Sequence, residues 1–453
     1  MAALATPRTE GPLLVSQSLE ISGSVSNDTI VERNCSLYIG GDLLGSLTVE
    51  SGAQVIVEGT IGGKIVNKGG RLVVNNRGIA ACVGLDGPPE AEACGVLRVS
   101  LAALAANWDL ITQGNEAECA AVLSCNAYGL GIARIAGTLT RLGCNTFFVS
   151  DIPEARQVRR FSPAATIYVL NGFYPGSAPA FAEINARPVI NSAIELAEWD
   201  AAVAGPQWTG GYALQVDTGA TRRGFAIPEA AALAPRIRSA NNGIRLLMSR
   251  LDDPATSNES QRTRQIASFR ELSRLFHGVP ASLAASSGLF NPKARFDMVR
   301  AGSALFGINP TPPAAKAMRP VVELRTRILH IRALAAGETL GDQLHFTAKR
   351  ATKVALISVG RADGFPSPVA ANDRKLQVII GGHRCPVIGR PSSDLAAVDI
   401  TSLPDPSAAR RDKPVTLIGD GIGIEEIAAA TQQAGREVLA CLGARFHRVY
   451  HVN

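Results

Sequence analysis

The 453-residue chain contains no Cys-x-x-Cys pair, no Lys/Arg block and no apolar run long enough to span a bilayer. Its eight cysteines, Cys35, Cys82, Cys94, Cys119, Cys125, Cys144, Cys385 and Cys441, are scattered. That scatter excludes a zinc ribbon or finger, and the lone neighbours His383 and Cys385 are not a ligand set, so no metal is expected. Free, mostly buried thiols are the expectation, in a cytoplasmic protein. The opening residues MAALATPRTEGPLLV carry no signal-peptide core. Aromatic residues make up only 5% of the chain, and its six histidines are dispersed. The net charge is +6 and the isoelectric point about 9.0. No nucleic-acid module accompanies that charge, so a dedicated nucleic-acid role is not expected. Hydrophobic residues (46%) and charged residues (19%) are ordinary for a globular protein. The length predicts roughly two to four domains.

Residues 1–12 are small and polar and read as a disordered tail. From 13 to 76 short apolar pairs alternate with glycine: Leu19-x-Ile21, Leu37-x-Ile39, Leu47-x-Val49, Val55-x-Val57 and Leu72-x-Val74. Setting residues 34–42 over 52–60 superposes Leu37 on Val55 and Ile39 on Val57, and setting 45–52 over 62–69 repeats the texture. A period of roughly 17–18 residues predicts a β-solenoid with inward apolar stacks and glycine corners. This texture resembles bactofilins and related polymer-forming β-helical proteins. Unpaired end rungs predict assembly with further protein partners. A few-stranded sandwich or meander is the alternative. Residues 77–95, with Pro88-Pro89, read as a linker.

From Val96 onward strands and helices alternate: strands at Val96–Val99, Ala120–Leu123, Thr146–Val149, Ile167–Leu170, Leu214–Val216, Arg245–Met248 and Leu283–Ala284, with helices between. This alternation predicts a TIM-type (β/α)8 barrel over 96–318. Alternating strands from near Met318 predict an all-β domain over 319–453.

The most informative stretch is AVLSCNAYGLG at 121–131, where an apolar strand runs into Asn126-Ala127-Tyr128-Gly129. It resembles the cofactor loop of the alanine racemase family, enzymes that use pyridoxal phosphate (PLP). Further motifs follow in that family's order: Asp217-Thr218-Gly219 with Arg222 and Gly224, Ser286-Ser287-Gly288, Arg300-Ala301-Gly302, Gly337-Glu338 with Gly341, Gly360-Arg361-Ala362-Asp363-Gly364, and Gly389-Arg390. The resemblance covers about Val96 to Tyr450. It implies cofactor contacts at Tyr128, Ser286, Arg300 and Gly302, a substrate-carboxylate contact at Arg222, and a head-to-tail homodimer.

Departures from the family pattern are as clear. Ser124 stands at the position of the PLP lysine, and a hydroxyl cannot form the imine with which that chemistry begins. Asp342 stands at the position of the tyrosine that serves as the second base. Gln215, Arg250, Ala285 and Arg361 replace other residues of the family's pocket. Racemisation needs a base on each face of a planar carbanion. These substitutions therefore predict a catalytically inactive homologue holding no cofactor, with Ser124 and Asp342 as lost-base positions. Its remaining pocket residues would be vestigial, and the protein would act as an assembly scaffold. The alternatives are a PLP-dependent alanine or related amino-acid racemase with the cofactor bound noncovalently, and a sensor of amino acids or phosphate compounds.

Overall fold

A computed structural model describes residues 2–4, 12–57, 60–61, 63, 65–74, 88, 90–203, 210–238, 243–252, 258–309, 318–340, 345–367 and 376–451. The chain divides into two compact units, Met1–Ala93 with Ala444–Arg448, and Cys94–Gly443 with Val449–Asn453.

In the first unit short strands pair in three parallel ladders. Leu19 pairs with Leu37 and Leu37 with Val55; Thr29 pairs with Leu47 and Leu47 with Ile65; Val25 pairs with Leu43 and Leu43 with Ile61. Each step advances the chain by one repeat, so equivalent side chains stack. Ile21, Val31, Ile39, Val49 and Val57 form a fully buried column-like core. The same step places Asp28 Oδ1 as acceptor for the Ser46 amide at 2.7 Å, 18 residues on. Glycine is obligatory at the corners. A Cβ on Gly45 would sit 2.3 Å from the Asn27 carbonyl carbon, and one on Gly63 would sit 2.2 Å from that of Gly45.

Two expectations change here. The superposition of 45–52 on 62–69 is out by one residue, because Leu47 pairs with Ile65 and Val49 with Asn67. Strand side chains alternate faces, so only the observed register keeps the glycine corners in contact. Ala2–Leu4, expected within a disordered tail, instead pairs in parallel with Leu19–Ile21. The rest of that tail, and residues 77–87 and 89 of the expected linker, lie outside the described residues.

The second unit contains a nearly closed barrel of eight parallel strands: Glu118–Val122, Thr146–Val149, Thr166–Val169, Ala186–Ile190, Tyr212–Gln215, Ile244–Met248, Ala281–Ser282 and Met298–Ala301. The last pairs back onto the first, Ala120 opposite Arg300. At the remaining seam the Ser282 hydroxyl donates to the Met298 carbonyl at 2.8 Å. Phe148, Tyr168, Met248 and Met298 alternate with Ala120 and Ala213 in the interior, large against small, so the barrel is filled. Pro188 lies inside the strand Ala186–Ile190, which carries no strong strand signature in the sequence.

The expected opening strand of the barrel belongs elsewhere. Gly95–Ser100 pairs antiparallel with Val322–Leu334, Val99 opposite Val322. Its residues alternate between buried and more accessible, whereas Thr146–Val149 is buried throughout. Alternation marks a half-solvated antiparallel strand, and continuous burial a parallel barrel strand. Val322–Leu334 also pairs with Thr352–Ile357 and Pro414–Ile418, forming the C-terminal sheet. That domain is mostly rather than wholly β, since helices Ile424–Thr431 and Gly435–Ala440 follow its strands. The second helix matters for the site.

Candidate active site

A cavity of about 460 Å³ opens where the barrel strands end, and the helix Gly435–Ala440 forms part of its wall. Barrel strands end by delivering side chains to one face, where ligand sites of this architecture collect. Ser124, Tyr128, Arg222, Ser286, Arg300 and Gly302, separated by up to 178 positions of sequence, all line this one cavity. Gln215, Arg250 and Ala285 line it too. Asp342 lies outside the described residues.

The strand Glu118–Val122 leads into a turn, Ser124–Tyr128, whose backbone is left-handed. Cys125, Asn126, Ala127 and Tyr128 have φ of 56°, 55°, 52° and 56°. Such a conformation costs L-residues roughly 1–2 kcal/mol each, so the surroundings must impose it. Inside the turn the Ala127 amide donates to the Leu123 carbonyl at 2.9 Å and Gly129 to Cys125 at 2.8 Å. Gly129 closes it at φ 77°, where a Cβ would meet the Leu439 carbonyl oxygen at 2.7 Å. The turn is thus seated against the C-terminal helix.

Tyr128 packs its ring 5.0 Å from that of Phe306 and sends its hydroxyl to Gly302. A Cβ on Gly302 would lie 2.5 Å from the Tyr128 hydroxyl oxygen, so glycine is required for this approach. Burial pushes the Tyr128 phenol above its ordinary pKa, with Arg250, Arg436 and the Ser303 amide acting in the opposite sense. The Ser286 hydroxyl accepts from the amides of Gly302 at 3.0 Å and Ala304 at 3.3 Å. A serine oxygen with two acceptor contacts still has its proton to donate. Tyr128 and Ser286 therefore present hydroxyl donors beside a Cβ-free backbone, a cradle suited to phosphate oxygens.

Arg300 is buried, 5% exposed, on the last barrel strand. Its Nη1 donates to the Ser282 carbonyl at 2.9 Å and hydroxyl at 2.7 Å, and its Nη2 to the Ser249 carbonyl. Among the described residues it forms no ion pair. Burial, then the nearby Arg250, lower its pKa to about 9. A guanidinium fixed by neutral acceptors, with one edge toward the cavity, suits an aromatic ring nitrogen that is to stay unprotonated. Asp217 shapes the Arg222 loop, its Oδ1 accepting from Gly219 at 2.8 Å and Thr221 at 3.1 Å.

The cradle and Arg300 thus fit a phosphorylated pyridine. The covalent anchor does not fit, because Ser124 occupies the strand end and, among the described residues, no lysine lines the cavity. Sequence reasoning missed Arg436, Glu437 and Ala440, which reach the wall from the short C-terminal helix. The apolar spacing of GREVLA was the available signal. Among the described residues no group of His, Cys, Asp and Glu is arranged for a metal ion, and no helix is long and apolar enough to cross a membrane.

Comparison with known proteins gives these residues a context. The family model described as alanine racemase, N-terminal domain, matches residues 99–310, and that described as alanine racemase, C-terminal domain, matches 321–450. An alanine racemase of Methylobacterium nodulans is 44% identical over 356 residues, covering 78% of this chain and 95% of that protein. The biosynthetic alanine racemase of Agrobacterium fabrum is 35% identical over 367 residues, covering 79% and 93%. Among solved structures, alanine racemase from Bartonella henselae with covalently bound pyridoxal phosphate is similar at TM-score 0.72 and 30% identity, over 79% of this chain and 100% of that one.

These findings overturn the expectation of an inactive scaffold that holds no cofactor. Near full-length relatives are alanine racemases, and a neighbour of the same fold carries PLP. The expectation gave one covalent bond too much weight. A phosphate and a ring are held mainly by noncovalent contacts, and the residues for those contacts converge on the cavity. The chain belongs to the alanine racemase family.

Proposed function

We propose that the protein is a PLP-dependent racemase of alanine or a related amino acid, with the cofactor held noncovalently. The observation that carries this reading is the cradle made by Tyr128, Ser286 and Gly302 with Arg300 beside it, in a chain 44% identical to an alanine racemase. When bound, PLP supplies an electron sink that makes the α-proton of an amino acid acidic. The chain's residues do the rest. The Tyr128 and Ser286 hydroxyls would donate to the cofactor's phosphate. Arg300 would meet the ring nitrogen of a bound cofactor and keep a proton off it. Arg222 holds the substrate carboxylate from the rim. Ser124 and Asp342 occupy the positions from which the family's two bases act, so proton transfer here is expected to be slower than with lysine and tyrosine.

Further parts of this reading concern organisation. Residues 13–76 form a β-solenoid, supported by parallel ladders that advance 16 to 18 residues per step. Residues 77–95 connect it to the barrel segment 96–318 and the β-rich domain 319–453. The working unit is a head-to-tail homodimer, as the resemblance implies, in the cytoplasm.

The test is direct. Purified protein is titrated with PLP while absorbance is followed, and is then given L-alanine with D-alanine measured. Saturable PLP binding with D-alanine formation is expected. Absence of both would overturn the reading.

A further inference from the structure

The left-handed turn that carries Ser124 and Tyr128 begins with amides that its internal hydrogen bonds do not use. The structure shows where they go. The Cys125 amide donates to the Ser150 hydroxyl at 3.3 Å, and the Asn126 amide to Glu154 Oε1 at 2.7 Å. The other carboxylate oxygen, Glu154 Oε2, accepts from the Ser150 amide at 2.7 Å. Glu154 lies in the first turn of the helix Ile152–Phe161, where the Asp151 side chain caps its amide at 3.0 Å. Both oxygens of one half-buried carboxylate are therefore spent on the backbones of two successive barrel loops.

The arrangement recurs. Glu195, equally placed in the helix Ala193–Ala202, accepts from the Asn191 amide at 2.6 Å and from the Phe173 amide at 2.5 Å. It too ties the loop before its own helix to the loop of the preceding strand. Only the Glu154 pairing holds the turn that carries Ser124 and Tyr128, through the Asn126 amide. An ionised carboxylate accepting two amides is a strong and directional clamp. The turn's internal hydrogen bonds close its later half, and the clamp adds the hold on its first residues that a left-handed backbone needs.

We propose that Glu154 is the positioning residue of the cradle: its carboxylate fixes the left-handed turn so that Ser124 and Tyr128 face the cavity. The proposal rests on the reading of that cavity as the PLP site, but one of its tests does not. Glu154→Gln keeps shape and one acceptor and loses the second. Glu229→Gln is the control, since Glu229 plays the same capping role, accepting from the Ala226 amide at 2.9 Å, away from the cavity.

In the full-length protein, hydrogen exchange at the Cys125 and Asn126 amides is expected to rise at least tenfold in Glu154→Gln and to stay within twofold in Glu229→Gln. PLP affinity is expected to fall about ten- to a hundredfold in the first variant and to hold in the second. Induced circular dichroism of bound PLP should weaken with it. Unchanged exchange at Asn126 in a folded Glu154→Gln protein overturns the proposal. So does equal loss of PLP affinity in both variants. If the unaltered protein binds no PLP, the functional reading fails, while exchange at Asn126 still decides whether Glu154 holds the turn.

Discussion

Replacing Ser124 by lysine tests the site at its most consequential position. Ser124 ends the first barrel strand and lines the cavity, half-buried, on a turn that hydrogen bonds hold rigid. A lysine there would extend into about 460 Å³ of space without meeting a packed core. Among the described residues five arginines, Arg222, Arg223, Arg250, Arg300 and Arg436, share that wall with one carboxylate, Glu437. Neighbouring positive charge disfavours another cation, so the new amine should ionise at a lower pH than usual and be neutral, hence nucleophilic, in more of the population. A positioned base is worth about 10²–10⁴ in rate. Ser124→Lys is therefore expected to form a borohydride-reducible covalent bond to PLP and to raise alanine racemisation about a hundredfold or more. Peptide mapping after reduction should place the label at position 124. A variant that still binds PLP but gains neither the label nor rate would falsify the placement of Ser124 beside the cofactor's reactive carbon.

Tyr128→Phe and Ser286→Ala each remove one donor to a charged group and should weaken PLP binding by about ten- to a hundredfold, read by absorbance titration. Gly302→Ala puts a methyl 2.5 Å from the Tyr128 hydroxyl oxygen, so PLP affinity should drop further and the melting temperature fall, overpacking costing about 1–3 kcal/mol. Arg300→Gln should leave the fold intact with PLP bound more weakly; a Kd equal to that of the unaltered protein would remove Arg300 from the site. Gly63→Ala forces a Cβ to within 2.2 Å of backbone and should lower the stability of the N-terminal ladders, whereas Lys68→Ala, which breaks an exposed pair with Glu50, should cost no more than about 1 kcal/mol by thermal melting.

Much of the site is legible in the sequence because its chemistry needs particular atoms at particular strand ends. Tyr128, Ser286, Arg300 and Gly302 are far apart in the chain, yet each sits in a short motif that names it, and all four meet in one cavity. Long-range partnership is less legible. Val96-Leu-Arg-Val99 reads as a strand, but which sheet it joins depends on Val322–Leu334, more than 200 residues away. Its alternating polarity was the clue, since Arg98 could not point into a filled barrel. The wall supplied by Arg436 and Glu437 was hard to read because the apolar spacing of GREVLA, the one signal present, spans a helix of only six residues. Ser124 misled in another way. A single residue can remove a bond, but it does not report what the remaining contacts still hold.

The ladders of the first unit impose a rule on how that part of the chain can change length. Leu19, Leu37 and Val55 stand over one another, as do Thr29, Leu47 and Ile65. An insertion of one residue within a strand would turn the apolar side chains that follow it in that strand from the core to the solvent. An insertion of 18 would merely add another layer, with its own buried column and its own glycine corner. Length in this segment therefore changes most simply by whole layers, each a ready-made increment of height, while the one- or two-residue differences between steps, 16 from Leu13 to Thr29 and 17 from Gln54 to Arg71, fall between the strands and leave the stacked columns in register.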